Sequence, residues 1–75
     1  MNTSAKLLEA MTRHPLDWRI DQLQTVAQQH GISWRHNGGS HYAFVRTDGQ
    51  MLVVPAHRPI QSVYIKQFVK FVKGA

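Results

Sequence analysis

ISWRHNGGSHYAFVRTDGQMLVVP, residues 32–55, is the stretch whose reading decides the fold. Three short runs within it, ISWRH (Ile32–His36), HYAFVR (His41–Arg46) and MLVV (Met51–Val54), are rich in β-branched and aromatic residues. Between them lie NGGS and TDGQ, each short enough for a hairpin connection, with Asp48-Gly49 the stronger turn signal. The pattern predicts three strands in an antiparallel meander. Side chains alternate along a strand, so Tyr42 and Phe44 share one face and His41, Ala43 and Val45 the other. Assigning the aromatic pair to the core leaves His41 on the open face, at the strand edge beside the glycine turn.

Outside this stretch the apolar period becomes helical. In NTSAKLLEAMTRHP, Thr3 or Ser4 suits an N-cap, Leu7, Leu8 and Met11 share a face, and Pro15 discourages continuation beyond His14. From Asp17, Ile20, Leu23, Val26 and Ala27 recur at helical spacing, with Gly31 just past the end as a C′ residue. SVYIKQFVKFVKGA then carries the stripe Ile65, Phe68, Val69 and Val72, with Ser62 as a candidate N-cap and Gly74 as the stop. The expected order is α-α-β-β-β-α in one domain over residues 1–75: an extra N-terminal helix (1–15) and a core (17–72). The helices have only one large surface on which to bury their stripes. We therefore expect an α+β sandwich, a three-stranded antiparallel sheet with helices on one face and the other face open.

Seventy-five residues support one modest core, and with no cysteine neither a disulfide framework nor a thiolate metal site is available. The longest apolar run, Met51–Ala56, is far short of the ~20 residues of a membrane span, and the N-terminal residues lack a signal-peptide apolar region. We expect a soluble, cytoplasmic protein with no membrane association. Nine Lys and Arg against four Asp and Glu give a net charge of +5, which favours a polyanionic partner, nucleic acid first.

Cleavage of RNA needs little from a small protein, because the ribose 2′-OH is an internal nucleophile. It requires a group to take that proton, an acid for the leaving oxygen, and donors for the phosphate charge. A histidine suits either proton role near neutral pH. Backbone amides of Gly38, Gly39 and Ser40 can form an anion nest, with the Ser40 hydroxyl as a further donor and His41 beside the bound phosphate. The simpler alternative is a β-turn followed by a surface histidine. His57, in VVPAHRP, follows the third strand and is expected to contact or orient RNA. Arg35, Arg46 and Arg58 flank the strand ends and are expected to meet phosphates. Lys66, Lys70 and Lys73 share a helix face and offer a phosphate-tracking surface, with helix polarity and solubility as the alternative account of them. His14 and His30 close helices, and Trp18 and Trp34 suit the core. His36, His41 and His57 match no closed zinc spacing, so neither a metal nor another cofactor is expected.

Gly39-Ser40-His41 opening a strand, a hairpin with Asp48-Gly49, then Val54-Pro55-Ala56-His57 leading into a last helix resembles the HicA family of toxin mRNA interferases. The resemblance runs from about Asp17 to Val72. It implies a double-stranded-RNA-binding-domain-like fold, metal-independent endoribonuclease activity that cleaves mRNA and arrests growth, and a HicB antitoxin that masks the site. By the same matching His41 is the catalytic histidine, Gly39 and Ser40 shape the phosphate site, and His57 is the histidine of the VPxH element. The chain departs from the family pattern in its N-terminal helix, in Gly38 and in the RPIQS loop after His57. Two other classes fit the charge. A non-catalytic duplex-RNA module should carry a lysine cluster at the start of its last helix, where SVYIKQ has only Lys66. A protein-interaction subunit would use the open sheet face for a partner alone.

Overall fold

The computed structural model describes residues 3–36 and 38–74. Its elements follow the expected order: α1 (Thr3–Arg13), α2 (Ile20–Gln29), β1 (Ser33–His36), β2 (His41–Val45), β3 (Met51–Pro55) and α3 (Ser62–Lys73). The strands form one antiparallel sheet in the order β1-β2-β3, so β2 is central and paired on both sides. The architecture is α+β, with the layout read from the sequence.

Strand alternation sorts the two faces. Phe44 is fully buried, and its cross-strand partners Trp34 and Leu52 pack on the core, as do Tyr42 and Val54. Against this face lie α2, through Leu23, Val26 and Ala27, and α3, through Ile65, Phe68 and Val69. The Phe44 and Phe68 rings meet edge to face at 5.2 Å, a geometry that suits their quadrupoles. Helix α1 packs across α2 and α3, and its Met11 is completely buried. The N-terminal helix is therefore part of the core.

Chain ends of the elements are set by local chemistry. Gly31 and Gly74 take left-handed φ of 71° and 74°, closing α2 and α3 as expected of glycine at helix ends. The second hairpin is a turn closed by Gly49 N–H donating to Arg46 O at 3.0 Å, with Gly49 at φ 90° and Asp48 Oδ1 accepting from Gln50 N–H. Two expectations shift. Ser62 is the first helical residue, and Gln61 occupies the N-cap. Thr3 and Ser4 already belong to α1, and the residue before them lies outside the described residues.

One long-range tie fixes how the ends of the fold meet. Trp18 and Ile60 form an isolated antiparallel bridge in which Ile60 N–H donates to Trp18 O at 2.9 Å. Both residues are buried, and the Trp18 indole N–H donates to His14 O at 2.7 Å. The loop after β3 is thereby held against the connection between α1 and α2. Among the described residues no helix is long and apolar enough to cross a membrane.

Candidate active site

His41 opens β2, and alternation from buried Phe44 places its side chain on the face without helices. It is exposed, beside the turn that carries Gly38, Gly39 and Ser40. Asn37, read as the first residue of that turn, lies outside the described residues. Gly38 takes a φ of 80°, which accounts for a glycine there. Among the described residues, no backbone carbonyl accepts from the N–H of Gly38, Gly39 or Ser40.

The turn is tied on both sides. His36 Nε2–H donates to Gly39 O, and the His36 ring stacks on Tyr42, centroids 4.3 Å apart and planes within 7°. These two residues are cross-strand partners on the helix side of the sheet. His36 is thus directed away from His41, and it stiffens the turn from the opposite face. On the other side, Ala56 N–H donates to Ser40 O, which carries the β2–β3 pairing one step past His41↔Pro55. The next residue, His57, follows beside the glycine turn and is exposed.

Arg35 pairs with Ala43 and so shares the open face with His41, standing diagonal to it. Diagonal neighbours in an antiparallel pair lie about 7–8 Å apart, within reach of an arginine side chain. Val53 pairs with Ala43 on the other flank and Met51 with Val45, and both are exposed, 46% and 62%. The open face therefore combines His41 and Arg35 with an apolar strip.

The remaining basic residues separate. Arg46 follows the far end of β2, five residues and roughly 16 Å from His41 along the strand. Its guanidinium donates to Phe71 O at 3.2 Å and Asp48 Oδ2 at 2.6 Å, and lies 5.6 Å over the Phe71 ring. Arg46 clamps the end of α3, and a phosphate role at the turn does not fit that placement. Lys66, Lys70 and Lys73 belong to α3, in the helical layer on the other side of the sheet from His41. Arg58 is exposed in the loop after His57. Trp18 is core and Trp34 packs on it, 6.2 Å from Phe44.

Among the described residues no three His, Cys, Asp or Glu side chains are grouped to hold a metal ion. The acidic residues Glu9, Asp17, Asp21 and Asp48 all lie off the open face, in α1, the α1–α2 connection, α2 and the second hairpin. No protein-family model, curated protein or solved structure matches the chain. Its chemistry has to be read from these residues.

Proposed function

We propose that this protein is a HicA-like toxin, a metal-independent endoribonuclease that cleaves mRNA through His41 and so arrests translation and growth. The observation that carries the reading is an exposed histidine on the open sheet face, next to three backbone amides with no carbonyl partner among the described residues. In the reaction the 2′-oxygen attacks the adjacent phosphorus and loses its proton, the bond from phosphorus to the 5′-oxygen breaks, and that oxygen gains a proton. The products are a 2′,3′-cyclic phosphate and a free 5′-hydroxyl. His41 transfers a proton at the reacting oxygens, and the Gly38–Ser40 amides and Ser40 hydroxyl bind the charged phosphate oxygens. Arg35 adds charge from the same face, while His57 and Arg58 contact the strand as it leaves the turn.

The same face suits an antitoxin of the HicB kind. Exposed Met51 and Val53 beside Arg35 and His41 offer an apolar strip with a basic margin, complementary to an acidic, β-rich or extended partner. Such a partner would exclude substrate by covering His41.

The test is cleavage of a mixed RNA with EDTA present, by this chain and by His41→Ala, both checked by circular dichroism. Cleavage by the first and none by a folded variant supports the reading. Equal cleavage by both removes His41 from the chemistry, and cleavage by neither leaves an RNA- or protein-binding module.

A further inference from the structure

A second basic feature lies around the corner from His41, and only the folded chain assembles it. A cleft of about 300 Å³ opens between the α1–α2 connection and the loop after β3, lined by Asp17, Arg19, Arg58 and Pro59. Arg19 and Arg58 are both exposed, and the ion pairs among the described residues, Arg13–Glu9 and Arg46–Asp48, involve neither. Asp17 sets one negative charge against two positive ones, so the cleft is net cationic. Its walls are held in place by the Ile60 N–H to Trp18 O bond at 2.9 Å, immediately beyond Pro59 on one wall and beside Arg19 on the other.

One wall of the cleft is close along the chain to the glycine turn. Ala56 N–H is bonded to Ser40 O, and Arg58 is two residues further on. An extended chain spans at most ~3.6 Å per residue, so Arg58 starts within roughly 7 Å of that anchor. We propose that Arg19 and Arg58 form a phosphate-binding subsite for a nucleotide flanking the scissile one, so that the RNA backbone runs from the turn, past His57, into this cleft. The proposal rests on the ribonuclease reading for the identity of its ligand. Two arginines that line one cleft and take part in neither ion pair suit a phosphate, because each guanidinium fork can grip its oxygens in bidentate fashion as a lysine cannot. Arg19 is a positioning residue here, remote from the reacting atoms.

The test measures binding separately from cleavage. A fluorescein-labelled single-stranded RNA of ~12 nucleotides is titrated by anisotropy with the 75-residue His41→Ala protein, in which the probe stays intact, between about 50 and 200 mM salt. Arg19→Ala and Arg58→Ala, each added to that background, should weaken binding on the order of fivefold. Each should also lower the salt slope by about 0.7, the value for one phosphate contact on a single strand. Arg19→Lys should keep the slope and recover part of the affinity, and Arg13→Ala should change neither. Unchanged affinity and slope in a folded Arg19→Ala protein overturns the subsite, as does a parent that does not bind the probe. Placed in the cleaving protein, Arg19→Ala should raise KM and leave kcat. If the parent fails to cleave but Arg19→Ala still loses affinity and slope, the subsite stands and the ribonuclease reading falls.

Discussion

Ala56 donates its backbone N–H to the carbonyl of Ser40, and this bond brings the VPAH segment to the GSH turn. Without it β3 would part from β2 at Pro55, and His57 would have no fixed place. Because Pro55 itself has no N–H, Ala56 is the first residue after the strand's end that can make such a tie.

Ala56→Pro removes that donor, at a cost of about 1 kcal/mol for one lost bond. We expect a lower melting temperature of a few degrees and cleavage reduced about tenfold, as the His57 loop drifts from the turn. His57→Ala should leave stability alone and weaken RNA binding while sparing kcat. Loss of kcat equal to that of His41→Ala would instead make His57 a second proton-transferring group.

Arg46 provides the opposite expectation. Its side chain is about a fifth exposed, and its guanidinium is shared by Phe71 O, Asp48 and the Phe71 ring. Arg46→Ala should cost about 1–2 kcal/mol, chiefly through the bond to the α3 carbonyl and the lost cover over Phe71, since the half-exposed Asp48 pair adds little. RNA affinity and its salt slope should not change. Thermal denaturation and the same anisotropy titration separate the two effects, and a reduced slope would return Arg46 to the RNA path.

The clamp that Arg46 makes on α3 is not legible in the sequence, for a physical reason. Its partner Phe71 is 25 residues away, and nothing local marks an arginine at a strand end as a helix clamp. The same distance hid Phe71, which falls off the Ile65-Phe68-Val69-Val72 stripe yet is buried under that guanidinium. His36 was legible as a histidine near the turn, but only the pairing with Tyr42 reveals that it braces the turn from the helix side. The Arg19–Arg58 cleft depends on a bridge between Trp18 and Ile60, 42 residues apart by number, and had no signal in the sequence. By contrast the meander, the face of His41 and the ends at Gly31 and Gly74 follow from period-2 alternation and left-handed glycine, which are local, and the sequence carries them openly.

Met11 makes the first helix testable. It is fully buried between α1 and the layer below, so Met11→Ala should cost about 2–5 kcal/mol. A domain of this size has roughly 4–11 kcal/mol in all, so the variant should melt far earlier or be partly unfolded at 37 °C. Chemical denaturation reads the loss directly. A change below about 0.5 kcal/mol would mean that α1 is an appendage rather than a part of the core.

Gly38 and Gly39 divide backbone needs from substrate needs. A Cβ at either position meets nothing within 4 Å, so neither substitution clashes with the protein. Gly38 stands at φ 80°, where alanine is strained by about 1 kcal/mol, whereas Gly39 lies outside the left-handed region. Gly38→Ala should therefore lower the melting temperature by a few degrees, with lesser activity following from a shifted turn. Gly39→Ala should melt like the parent and still lose cleavage by about tenfold or more, because its methyl would project where the phosphate approaches the turn amides. Full activity in Gly39→Ala would place the phosphate elsewhere on the open face. Loss of activity with unchanged stability would mark Gly39 as a position kept bare for the substrate, which is the chemical reason for a glycine immediately before Ser40-His41.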